Sequence, residues 1–247
     1  MEEETKQPEE AKPEEQKPKK KSHKLLWTLI ILIFIFIVLP LAALGYSGVY
    51  QIPVVSAIFG TNKPIDLGVN PTAQDLIQAE ADNPMTIDAE PGTFYWTQSK
   101  EFAGTVEVDD RHTSAEMTAF IEKYHGEGRH VSDIQVKLRE GGMEISAFVT
   151  PYINAPVYVD VDVALTSNNT VSVNLVKAKV GRLSVPSSYY DEVSEAAQEI
   201  INEELAKVPG LSIEKLEYSD GEAYLKGVLP KTVTATGTEE SLDSYLD

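Results

Sequence analysis

The chain of 247 residues contains no cysteine. That excludes disulfides, thiolate metal sites, a cysteine nucleophile and a lipid-modified cysteine. Positive charge is also scarce: 39 Asp and Glu face 21 Lys and Arg, a net charge of −18 with pI near 4.6. A nucleic-acid binder needs a basic footprint to meet phosphates, so no nucleic-acid partner is expected. Catalytic signatures are missing too. There is no G-x-S-x-G elbow, S-x-x-K pair, phosphate loop or dinucleotide fingerprint. Outside the first 24 residues the histidines are His112, His125 and His130. None has the i, i+4 helical spacing or third ligand of a zinc site, so solvated loop histidines are expected. Asp160 and Asp162 share a strand face and suggest an acid pair, but an exposed face explains them more simply. Neither an enzyme nor a cofactor is expected.

What the chain does have is very unevenly distributed. Residues 1–24 hold seven Glu and seven Lys and almost nothing apolar, a composition unable to bury enough surface to fold. Leu25 to Tyr46 then runs without a charge; as a helix it would reach roughly 33 Å, enough to span a bilayer core of about 30 Å. Lys17, Lys19, Lys20, Lys21 and Lys24 precede it, and the first charge beyond it is Lys63. That asymmetry puts the N-terminus in the cytoplasm and the rest outside. A cleaved signal peptide would have a shorter apolar run and an A-x-A-like site, which Ala42, Ala43 and Gly45 match poorly. The reading is a single-pass, signal-anchored protein of the cell membrane. All of the net charge lies beyond residue 24, where 32 acidic residues face 14 basic ones.

The expected organisation is a cytoplasmic tail (1–24), a transmembrane helix (25–46), a membrane-proximal linker (47–64), an external domain (65–232) and an acidic flexible tail (233–247). Thr72 with Asp75, and Thr113 with Glu116, form capping boxes that open two short helices. Residues 81–92, with two prolines and three acids, read as loop. Period-two alternation marks a strand through Phe102, Val106 and Val108, and a hairpin from Ile134 to Val149 turning at Gly141. A second hairpin pairs Val157, Val159, Val161, Val163 and Leu165 with Val171, Val173 and Leu175. Its phase slips at Val176, which suggests a bulge. Ser187 and Ser188 would cap a long helix, Ser188 to Lys207, whose apolar side includes Tyr190, Val193, Ile200, Ile201 and Leu205. A last hairpin runs from Leu211 to Leu229, with residues after Lys231 frayed. The fold class is α+β: a long, curved antiparallel sheet packed on one long and one or two short helices.

The apolar residues on single strand faces admit two readings, a filled core or a cleft lined by small aliphatic side chains and suited to an acyl chain. The cleft would be lined by Val157, Val159, Val161 and Val163 from the sheet, and by Ile200, Ile201 and Leu205 from the helix.

Several segments resemble a known family. Residues 59–64 (FGTNKP), then Asp66, Leu67, Gly68 and Val69, then Thr72, Asp75 and Leu76 resemble the membrane-proximal part of small bacterial single-pass envelope proteins. The stretch from Thr113 to Met117, residues 131–138 (VSDIQVKL), residues 180–186 (VGRLSVP) and the segment from Gly210 to Gly227 are similar to the units that follow in them. The second half is also similar to YpmS-like and LmeA-like external domains. The resemblance implies a half-tube fold of the TULIP or AsmA-like kind, with membrane lipid as the partner and envelope proteins as a further one. The rival expectation is an interaction module with a fully packed core that scaffolds envelope machinery.

Overall fold

A computed structural model describes residues 39–49, 51, 56, 61–89, 99–125, 131–150 and 153–236. The chain divides into two compact units, 1–40 and 41–247, and almost everything described belongs to the second. Among the described residues no helix is long and apolar enough to cross a membrane. Of the expected span, residues 25–38 lie outside the described range, and the remainder falls in helix α1 (Leu39–Ser47).

The architecture is α+β, mostly sheet with few helices. It contains two sheets, where one continuous sheet was expected. Helix α2 (Ala73–Asp82) opens with the expected capping box, in which Thr72 and Asp75 bond reciprocally. Strand β1 (Thr86–Asp88) follows within the expected loop, and then β2 (Lys100–Thr113). Helix α3 (Ser114–His125) begins at the second capping box. There the Glu116 carboxylate accepts from the Thr113 N–H at 2.7 Å, and Thr113 Oγ1 accepts from the Glu116 N–H at 3.2 Å.

Strands β3 (Val131–Arg139), β4 (Gly142–Val149), β5 (Ala155–Ser167), β6 (Thr170–Val180) and the short β7 (Leu183–Ser184) form an antiparallel five-stranded sheet in sequence order. The expected bulge is present. Asp160 pairs with Lys177 but Val161 with Leu175, which leaves Val176 unpaired. Helix α4 (Tyr190–Ala206) comes next, after a 3₁₀ turn over Ser187–Tyr189. Its N-cap is Tyr189 and makes no side-chain bond, so the serines expected to cap the helix lie in the preceding turn. Strands β8 (Ser212–Ser219) and β9 (Glu222–Ala235) complete the second sheet. In it β9 is central, paired with β2 along one edge and with β8 and then β1 along the other.

Two differences from the sequence reading have a shared cause. β9 runs past Leu229 to Ala235, and Val233, expected to fray, is buried. Pro230 normally argues against a continuing strand. Here it falls between Val228, the last residue paired with β8, and Thr232, the first paired with β1. The parallel pairing with β1 lies 146 residues away in sequence, beyond the reach of any local pattern.

The buried core joins the sheets through Ile134, Val136, Leu138, Ala147 and Ala223, with Met117 and Ile121 of α3 packed against them. Asn169, in a left-handed conformation at the β5–β6 turn, ties β8 to this sheet. Its side chain donates to the Leu211 carbonyl at 2.6 Å and accepts from the Ile213 N–H at 2.8 Å.

Candidate functional site

Register places the four predicted valines side by side on one face of the five-stranded sheet. The rows are Ala147–Val157–Val180, Ile145–Val159–Ala178 and Met143–Val161–Leu175, with Val163 opposite Val173. In a filled two-layer core the middle of a sheet is its most buried part. Here that order holds only in part. The flanking strands are buried at Ile134, Val136, Leu138, Val171, Val173, Leu175 and Ala178. On the central strands Ala147 and Ala155 are buried, while Val157, Val159, Val161, Val163, Met143 and Ile145 are half-buried, the last two packed against the core cluster. The half-buried row from Val157 to Val163 is about 20 Å long, at about 3.3 Å per strand residue.

The reason lies in how α4 meets the sheet. The sequence reading lays its apolar side over the strands. In the structure α4 runs along the part of the β6 edge that the short β7 leaves unpaired, held by a polar stripe with a four-residue repeat. Tyr190 Oη accepts from the Ala178 N–H at 3.3 Å, Ser194 Oγ from Leu175 at 2.8 Å, and Gln198 Oε1 from Val173 at 3.2 Å. Asn202 closes the series in both directions, accepting from the Val171 N–H and donating to the Val171 carbonyl, each at 2.9 Å. The stripe occupies the place of a missing neighbouring strand, because a sheet edge presents a row of N–H and C=O groups that must be satisfied. Ile200, Ile201 and Leu205 are half-buried on this helix, which contacts β6 at the side of the sheet. The stripe is the feature that composition missed. Its signal was present in Tyr190, Ser194, Gln198 and Asn202, hydrogen-bonding residues at every fourth position.

The opposite face of the same sheet is polar. Arg139 bonds to both Asp160 and Asp162, the latter at 2.8 Å, and Tyr158 Oη donates to Glu144 at 3.0 Å. The two aspartates weighed as an acid pair are therefore joined through a guanidinium. A separate apolar cavity of about 250 Å³ lies between α3 and the second sheet, lined by Val108, His112, Met117, Phe120 and Leu225 among others. It falls below the usual 300–1,000 Å³ of small-molecule sites. Tyr218 also borders it, and burial pushes its phenol up to about 12. His112 faces this cavity; His130 and the 126–129 loop lie outside the described residues. Among the described residues no three His, Asp or Glu side chains are grouped to hold a metal.

Compared with protein-family models, curated proteins and solved structures, the chain matches none. The functional reading therefore stands on the geometry.

Proposed function

We propose that the chain is a single-pass protein of the bacterial cell envelope whose external domain binds a lipid acyl chain, or a similar apolar molecule, in a trough along the half-buried valine row of the five-stranded sheet. One observation carries this reading: Val157, Val159, Val161 and Val163 form a continuous apolar row along one face of β5 that the fold leaves only half-buried. An acyl chain laid along Val157, Val159, Val161 and Val163, beside Ile200, Ile201 and Leu205, would complete the burial. At about 0.8 kcal/mol per methylene, ten buried methylenes support roughly micromolar binding after the costs of association. The binding is passive and involves no bond making. The uncharged span Leu25 to Tyr46, with lysines before it, supports anchoring with the N-terminus inside and the domain outside.

The test is native mass spectrometry of the full chain in mild detergent, with lipid extraction alongside. The full chain is required because cutting after residue 232 would remove buried Val233 and two of the three β1–β9 pairs. Lipid at fixed stoichiometry is expected, reduced at least about tenfold in Val161→Trp with the melting temperature preserved. A clean mass with no uptake of added lipid would reject the trough and favour an interaction module of the envelope.

A further inference from the structure

The end of the domain next to α1 carries a second feature that the trough does not use. A cavity of about 290 Å³ is lined by Thr61, Lys63, Pro64, Pro156, Lys179 and Arg182, among others. Three cations, Lys63, Lys179 and Arg182, line it together, in a region where acidic residues outnumber basic ones 32 to 14. Local packing holds the arrangement. The Gly181 N–H donates to the Pro156 carbonyl at 2.6 Å and the Arg182 N–H to the Ser47 carbonyl at 2.7 Å. Gly181 has φ +60°, and a β-carbon there would collide with that Ser47 carbonyl, so only glycine brings the strap this close to α1. The Arg182 guanidinium lies 4.6 Å from the centre of the Tyr46 ring, and the Lys179 ammonium 5.7 Å from that of Tyr158.

The same end exposes apolar side chains. Leu41, Leu44 and Tyr46 of α1 are 44–50% exposed, and Leu183, beside Arg182, is 54% exposed. Cations with apolar stems beside exposed leucine and tyrosine are the side chains that settle at a charged bilayer surface.

We propose that this end of the domain, through Lys63, Lys179, Arg182 and Leu183, docks on the anionic phosphodiester headgroups of the bilayer that holds the anchor. The inference rests on the membrane-anchored reading above.

The absence of cysteine permits a direct test on the full chain in nanodiscs. An environment-sensitive nitrobenzoxadiazole probe is attached at Leu183→Cys or, separately, at Leu41→Cys. The Leu41 probe should report an apolar surrounding in every nanodisc; if it reports water, the anchored reading fails and this inference with it. The Leu183 probe should report lipid contact in nanodiscs containing phosphatidylglycerol. The ratio of docked to free should fall about tenfold in pure phosphatidylcholine. A similar fall is expected in Lys63→Gln/Lys179→Gln and a larger one when Arg182→Gln is added, with melting temperatures checked for each. With the Leu41 probe in lipid, equal Leu183 signals in both nanodiscs, or a signal unchanged in both variants, would overturn docking alone. Loss of the signal on adding inorganic phosphate at constant ionic strength would also overturn it, assigning the cations to a soluble anion.

Discussion

At the β3 edge of the five-stranded sheet, Ser114 Oγ accepts from the Leu138 N–H at 2.9 Å and Thr118 Oγ1 from the Val136 N–H at 3.0 Å. At the β6 edge, Ser194, Gln198 and Asn202 do the same for Leu175, Val173 and Val171. Both edges are thus closed by a helix whose polar residues recur every four positions. The outcomes differ in what lies behind the helix. Behind α3 is the second sheet, so Thr118 and Leu138 are fully buried and Met117 and Ile121 enter the common core. Among the described residues α4 contacts chiefly β6, and Val193 is left 46% exposed. Hydrogen bonding to the edge decides where each helix lies, and its apolar flank meets whatever is then alongside. At β3 that is a core; at β6 the flank is left half-buried.

The largest test of this comparison removes the β6 device. Ser194→Ala/Gln198→Ala/Asn202→Ala leaves three strand N–H groups without their partners, at about 1 kcal/mol each. A loss of roughly 3 kcal/mol in urea unfolding is expected, with concentration-dependent association in sedimentation as β6 becomes an open edge. An unchanged midpoint would mean that α4 is held by its apolar flank after all. At the β3 edge, Thr118→Val keeps the side-chain shape but strands the Val136 N–H in a fully buried place. It should cost about 1–3 kcal/mol, more than Ser194→Ala alone. Equal losses would show that burial does not distinguish the two edges.

The smallest effect concerns Tyr218, which packs against the core that backs α3. Its phenol, held up to about 12 by burial, titrates near 10 in the unfolded chain. Below pH 10 both states are protonated and the stabilisation is fully present. Between pH 10 and 12 the unfolded state loses its proton first, so stability falls by up to roughly 2 kcal/mol. Tyr218→Phe should match the parent in urea midpoint at pH 7 and decline less steeply above pH 10. Parallel curves would place Tyr218 in contact with solvent.

What could be read from the sequence was what acts locally. Each capping box needs only residues three apart, and both are formed. The slip at Val176 is visible because alternation on β6 changes phase within a few residues. The four valines were rightly grouped on one face because a strand's period is two. The docking of α4 was not legible from its apolar residues, since an amphipathic helix satisfies several neighbours equally well. The four polar residues decided it, and their partners are backbone groups that carry no sequence signature. β1 and β7, of three and two residues, are too short for any periodicity to appear. β1 is recognisable only through β9, and the division into two sheets follows from that distant pairing.

That pairing has a consequence for how the molecule is made. β9 is the last strand described, yet it is the central strand of its sheet, and β1, β2 and β8 all depend on it for their backbone partners. A nascent chain that has reached residue 221 has both edge-closing helices and the five-stranded sheet available, but nothing to receive β2. Closure between Thr86 and Thr232 is among the longest loops in the fold, and the chain must lose that entropy before the contacts reward it. Folding of this sheet is therefore a late, all-or-none event that waits for the final strand. Until then Val106, Val108 and Phe102 stay uncovered, and this interval is when the chain is most exposed to aggregation or to capture by a chaperone.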